Sequence, residues 1–187
     1  MINIFRKLKR KPMSTIAFAG SNSKTSINKQ LVTYAIHIYG KAEILDLNDY
    51  QIPTYDIDIE KNEGFPNDVK KFFDTIKAAS TIFISFSEHN ACFTAVFKSY
   101  MDWCSRIDPK FFTDKKVFAL STSPGGYGGR NALEAGIKLV TKFGGTVLQE
   151  FALPKFNDNF VNGKINDETL DQELKSKIEL FRSEISK

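Results

Sequence analysis

Between Gly20 and Asn28 the chain crowds small polar side chains into one turn: Ser21, Asn22, Ser23, Thr25, Ser26 and Asn28. The apolar run Thr15-Ile16-Ala17-Phe18-Ala19 precedes it, and Leu31, Tyr34, Ala35 and Ile38 follow at helical spacing. Strand, polar turn and helix in that order let the unpaired N–H groups of a helix start converge on an anion. Hydroxyls and amides add neutral donors without the bulk of charged side chains. The chemistry that fits is the binding of a terminal phosphate. A nucleoside-triphosphate loop is excluded, because Thr25 and Ser26 stand where G-x-x-x-x-G-K-[ST] requires Gly and Lys. The dinucleotide fingerprint needs three glycines and finds Gly20 alone. Ser26 or Thr25 also suits a helix cap, but the four hydroxyls of Ser21, Ser23, Thr25 and Ser26 exceed what one cap requires.

Two further turns carry residues able to touch a ligand. The turn Ser87–Cys92, opening with Ser87-Glu88-His89-Asn90, follows the apolar, β-branched run Thr81–Phe86, and the turn Ser121–Gly129, with Ser123-Pro124-Gly125-Gly126-Tyr127-Gly128-Gly129, ends the run Lys116–Ser121. The elements that must position these turns are read from periodicity. Short strands are expected at 15–19, 42–47, 81–86, 116–121 and 146–151, with polar loop from Ile52 to Asn67. Helices are expected after Gly20, from Val69 to Ala79, from about Thr94 to Ser105, through Leu133, Ile137 and Val140, and through Leu170, Leu174, Ile178 and Phe181. Gly144 and Gly145 end the fourth of these.

Regular alternation of strand and helix implies right-handed crossovers and a parallel sheet. The expected fold is therefore α/β: a flavodoxin-like, doubly wound, five-stranded parallel sheet in the order 2-1-3-4-5 with helices on both faces. Ligands of such sheets sit at the carboxyl ends of the strands. The three polar turns follow the first, third and fourth strands, which are neighbours in that order. They would form one continuous site.

Composition narrows the partners. The 187 residues are 42% apolar with 17 Phe, enough for one sizeable core. Arg6, Lys7, Lys9, Arg10 and Lys11 contribute +5 to a net charge of +4, so the rest of the chain sums to −1. The body offers no global field for nucleic acid, and no run approaches the roughly twenty apolar residues of a membrane span. Residues 1–13 read as a basic, disordered tail or as a stretch upstream of a true start at Met13. They are too short in apolar residues for a secretory signal and too short a basic segment for a stable membrane anchor. Residues 14–187 read as a single domain. Cys92 and Cys104 form no C-x-x-C pair, and a reducing cytoplasm is the expected compartment.

With the three turns in view, the chain resembles the NADPH-dependent FMN reductase family from about Thr15 to Val147. The family's G-S-x-R-x-x-S-x-N corresponds to Gly20–Asn28. Its P-E-Y-N-x-S-x-P, then L-K-N-A-x-D-W, corresponds to Ser87–Thr94 and Phe97–Trp103. Its S-P-G-G-x-G-G stands intact as Ser123–Gly129. The resemblance implies FMN at the sheet edge, with Gly20, Ser21, Ser23, Ser26 and Asn28 around its phosphate. It implies Glu88, His89 and Asn90 along the isoalloxazine ring, and Ser123, Pro124, Gly125, Gly126, Tyr127 and Gly128 against the ring's other edge, where glycine admits close main-chain approach. The implied activity is hydride transfer from NADPH or NADH to flavin, then to a small acceptor such as a quinone, azo compound, free flavin or metal ion. The implied assembly is a homodimer or homotetramer. The cofactor carries the chemistry, so no catalytic side chain is named and no metal ligand is found.

The departures are specific. Ser23, with Lys24 beside it, replaces the family's Arg, and an ammonium is no bidentate phosphate clamp. His89 replaces Tyr, Ser87 and Thr94 replace two prolines, and Cys92 replaces Ser. His89 reads equally as a ligand contact or a solvated loop residue, Cys92 as a small packing residue, and Trp103 as core or subunit contact. Two other functions remain open. A flavodoxin-type electron carrier is usually acidic, unlike this body, and a non-flavin binding protein would have no use for the intact glycine turn.

Overall fold

A computed structural model describes residues 14–186, so the basic tail expected at 1–13 lies outside the described residues. The elements are β1 (Thr15–Ala19), α1 (Ile27–Tyr39), β2 (Glu43–Leu45), a 3-10 turn (Leu47–Asp49), α2 (Ile57–Glu63), α3 (Asn67–Ala78), β3 (Thr81–His89) and β4 (Cys92–Phe93). There follow α4 (Ala95–Ile107), β5 (Lys116–Thr122), α5 (Arg130–Lys142), β6 (Thr146–Leu153), α6 (Phe156–Asn159), β7 (Phe160–Val161), β8 (Lys164–Ile165) and α7 (Glu168–Ile185). The main sheet runs β2-β1-β3-β5-β6, every pair parallel. This is the expected 2-1-3-4-5 order once β4, a short hairpin return on β3, is set aside.

Two cores flank the sheet. Ile82, Ile84 and Phe86 of β3 join Phe72, Phe97, Tyr100 and Leu133 on the side of α3, α4 and α5. Phe83 points the other way and joins Leu31, Val32, Phe118, Leu174 and Phe181 under α1 and α7. Phe83 stacks on Phe118 with ring centroids 5.1 Å apart, and Phe181 meets both edge-on. A strand apolar on both faces is what burial under two helical layers requires. Trp103 is core, its indole N–H donating to the Pro53 carbonyl at 2.9 Å. Among the described residues, no helix is long and apolar enough to cross a membrane.

Three differences from the sequence reading concern the rim of the sheet. The segment expected as a loop after Phe86 continues β3 to His89, turns at Asn90 and Ala91, and returns as β4. Asn90 and Ala91 have φ of 50° and 60°, the pair of left-handed residues a two-residue hairpin demands. The stretch expected as loop from Ile52 to Asn67 contains α2. This short helix is capped by the Asp56 carboxylate and tied down by Glu60, which accepts from Arg106 and from the Tyr55 hydroxyl. The crossing after β6 contains α6 and the hairpin β7–β8.

One side chain fastens the rim together. Asn28, 3% exposed in the first turn of α1, accepts at Oδ1 from Ser85 Oγ (2.8 Å) and from Thr122 N (3.0 Å). Its Nδ2 donates to Thr122 O at 3.0 Å. Removing the amide takes away the partner of a buried hydroxyl and two hydrogen bonds to the Thr122 backbone. Asn28→Ala should therefore lower unfolding free energy by about 2–4 kcal/mol, measured by urea denaturation. A loss below about 1 kcal/mol would show that the clamp is dispensable.

Candidate functional site

The three polar turns meet in one pocket at the carboxyl ends of β1, β3 and β5. The cavity measures about 290 Å³ and is lined by Ser21, Ser23, Thr25, Ser26, Ile27 and Asn28 from the first turn. Ser87, Glu88 and His89 line it from β3, and Thr122, Ser123 and Pro124 from β5 and the turn after it. The first turn is held from behind. Gly20 N donates to Ser85 O, its carbonyl accepts from Thr94 Oγ1 at 2.8 Å, and a Cβ at Gly20 would lie 3.1 Å from the Phe97 ring. Thr94 also caps α4 through Phe97 N. One threonine thus couples the first turn to the helix after the hairpin.

Within the turn the hydroxyls organise the backbone. Ser21 Oγ accepts from Ser23 N at 3.1 Å, Ser23 Oγ from Thr25 N at 3.3 Å, and Ser26 Oγ caps α1 by accepting from Lys29 N at 3.2 Å. The N–H groups of Ile27 and Asn28, at the first two positions of α1, have no acceptor among the described residues. They are the donors a helix start offers to an anion. Lys29 is drawn away to Asp46, whose carboxyl falls below its usual range because of that hydrogen bond. The donors that the first turn gives to the pocket lining are therefore hydroxyls and amides.

Glu88 turns out to have a partner of its own. Its carboxylate accepts from Ala132 N at 3.1 Å and from Asn131 Nδ2 at 3.3 Å, capping α5 where a negative charge is favoured. What Glu88 presents to the pocket alongside this is position in the strand, with exposed His89 next to it. Cys92 is exposed across the hairpin, paired in register with His89. Cys104 is core, and burial pushes its thiol up to about 12, far from reactivity at neutral pH. Among the described residues, no three His, Cys, Asp or Glu side chains are grouped to hold a metal ion.

The glycine turn divides into two parts. Gly128 has φ +64° and sits so close to β6 that a Cβ would lie 3.0 Å from the Leu153 carbonyl; Gly129 has φ +74° and nears Thr122 O. Those two serve the chain's own fold. Gly125 and Gly126 differ: neither has a positive φ, and a Cβ at Gly126 would meet nothing within 4 Å. Tyr127 beside them is 60% exposed.

Of the residues expected from sequence, the pocket gathers Ser21, Ser23, Ser26, Asn28, Glu88, His89, Ser123 and Pro124. Gly20 supports from behind, and Asn90, Gly125, Gly126, Tyr127 and Gly128 lie outside its lining. Thr25, Ile27, Ser87 and Thr122 also line the pocket; they fall inside the three expected turns, but the resemblance assigns them no contact. The signal for Ser87 and Thr122 was available in strand alternation, had β3 and β5 been extended far enough. A larger cavity lies elsewhere, about 1000 Å³ along the outer side of α1, between Lys24 and the β7–β8 turn at Gly163.

Comparison with known proteins identifies the family. Residues 13–158 match the family described as NADPH-dependent FMN reductase. The chain is similar to an NADPH:quinone oxidoreductase of Arabidopsis thaliana, 31% identical over 128 residues that cover 65% of this chain and 64% of that protein. It is also similar to an NAD(P)H-dependent FMN reductase of Pseudomonas aeruginosa, 29% identical over 117 residues, 62% of this chain and 63% of the other. Both matches span a little under two thirds of the relative's own length. Among solved structures, FerB, a flavoenzyme NAD(P)H:(acceptor) oxidoreductase from Paracoccus denitrificans, superposes with TM-score 0.74 at 18% identity over 91% of this chain and 96% of that one. An FMN-dependent NADH-azoreductase from Bacillus anthracis in complex with FMN gives TM-score 0.63 at 13% identity over 94% and 100%. Those two likenesses establish the flavodoxin-like fold. With a family match over most of its length, the chain belongs to the NADPH-dependent FMN reductase family.

Proposed function

We propose that the protein is an FMN-dependent NAD(P)H oxidoreductase, with residues 14–187 acting as one domain. The observation that carries this reading is the meeting of the three turns in one donor-rich pocket. The residues present fit the cofactor by two tests. Ile27 and Asn28 hold unused N–H groups beside Ser21, Ser23, Thr25 and Ser26, a donor set suited to a phosphate. Gly126 has glycine where neither backbone conformation nor packing asks for it, which leaves room for a flat ring from outside.

Bound FMN would take two electrons as a hydride from a reduced nicotinamide and pass them to an acceptor. The protein's part is positional. Ser21, Ser23, Ser26 and the start of α1 would hold the phosphate, Glu88, His89 and Asn90 would line one side of the ring, and Ser123–Gly128 the other. With Lys29 occupied by Asp46, Lys24 is, among the described residues, the cation left at the first turn for a second phosphate-bearing ligand. The acceptor we infer is a small oxidant of the quinone, azo or free-flavin class, received at the same ring face after the nicotinamide leaves. A homodimer or homotetramer would complete the mouth of the pocket. The free state of Cys92 and Cys104 suits a reducing cytoplasm.

Initial-rate kinetics of the FMN-loaded protein with NADPH and a quinone should give parallel double-reciprocal lines, as one ring face used in turn requires; intersecting lines would contradict this. Anaerobic NADPH should also bleach the flavin absorbance. Failure to bleach while FMN stays bound would favour the electron-carrier reading. Gly126→Val tests the ring side separately. It should leave the melting temperature of the apoprotein unchanged, since nothing crowds that position, yet weaken FMN binding at least tenfold (a loss of about 1.4 kcal/mol) in a fluorescence-quenching titration.

A further inference from the structure

β3 sends alternate side chains to opposite faces of the sheet. Phe83 lies in the core under α1 and α7, and Ser85, in the same phase, donates its hydroxyl to Asn28 Oδ1 at 2.8 Å. Ser87 is next in that phase. At its level the core has given way to the pocket, whose wall Ser87 shares with Ser26, Asn28 and Thr122. Ser87 is only 7% exposed, and its Oγ is the one buried side-chain polar atom without a hydrogen-bond partner among the described residues.

The neighbouring groups are committed elsewhere. The Asn28 amide is engaged by Ser85 and Thr122, Thr122 Oγ1 donates to Leu153 O at 2.7 Å, and the Glu88 carboxylate caps α5. A buried hydroxyl with no partner destabilises the folded chain, and alanine would remove the penalty without opening a large cavity. Folding alone therefore favours alanine at 87. Serine is explained by a partner that arrives with a ligand. Proline stands at this position in the motif the chain resembles, so the hydroxyl is a feature of this chain.

We propose that Ser87 is a flavin-binding residue, its hydroxyl forming with bound FMN the hydrogen bond it lacks in the apoprotein. The inference rests on the FMN reading of the pocket. It assigns to β3 a side-chain contact in addition to whatever its backbone supplies. The residue trades stability of the empty protein for affinity of the loaded one.

The test compares wild type, Ser87→Ala and Ser87→Cys, the last keeping the shape with a weaker donor. Each is melted without flavin and titrated with FMN by fluorescence quenching. Ser87→Ala should melt at the wild-type temperature or about 2–4 °C above it and bind FMN roughly tenfold more weakly. Ser87→Cys should show the same weakening of FMN binding. Dissociation constants within twofold of wild type for both variants would overturn the role of Ser87 and leave the FMN reading standing. A lower melting temperature for apo Ser87→Ala would also overturn it, since the hydroxyl would then have a partner in the empty protein. No quenching by wild type would overturn both the FMN reading and this proposal.

Discussion

The rim of this sheet depends on one buried carboxamide. Asn28 bonds to Ser85 on β3 and to both backbone groups of Thr122 on β5, residues far apart in sequence. A carboxamide is suited to the task because it accepts and donates from one rigid plane, as a strand edge does. Its bonds place the first turn of α1 over the ends of the two central strands, so that free N–H groups, hydroxyls and the β5 turn face a common space. Thr94 performs the complementary task from the other side, holding the Gly20 carbonyl while capping α4. A small shift of either would separate donors that act together.

The site is built from dipoles and small groups with little net charge. Lys29 is paired with Asp46, Glu88 is spent on the start of α5, and the remaining donors are amides and hydroxyls. Such groups fix a ligand by geometry and would leave the electronic work to a bound cofactor. The same economy shows in the glycine turn. Gly128 and Gly129 satisfy the fold, whereas a Cβ at Gly126 would meet nothing and one at Gly125 only Ser123 Oγ at 3.9 Å.

The sheet order, its two helical layers and the meeting of the three turns were legible in the sequence, because long apolar strands and amphipathic helices carry their periodicity openly. The hairpin was not. Its residues Ser87–Cys92 are polar like a loop, and its turn is Asn90-Ala91, where the usual Asn-Gly would have announced it. Helix α2 buries no residue in the core and so has no apolar stripe to read. Asn28 was legible as a site residue, but its type alone did not separate a phosphate donor from a clamp. The glycines posed the same problem: four of them in a row of five said that backbone comes close to something. The structure was needed to show that for Gly128 and Gly129 the something is this chain itself.

Hydrogen–deuterium exchange of the full-length protein, with and without saturating FMN, tests the account most directly. Protection should be confined to 21–28, 87–91 and 123–128, with the larger groove along α1 and the β7–β8 turn unchanged. Protection centred instead on 30–38 and 162–164 would place the ligand in that groove and contradict it.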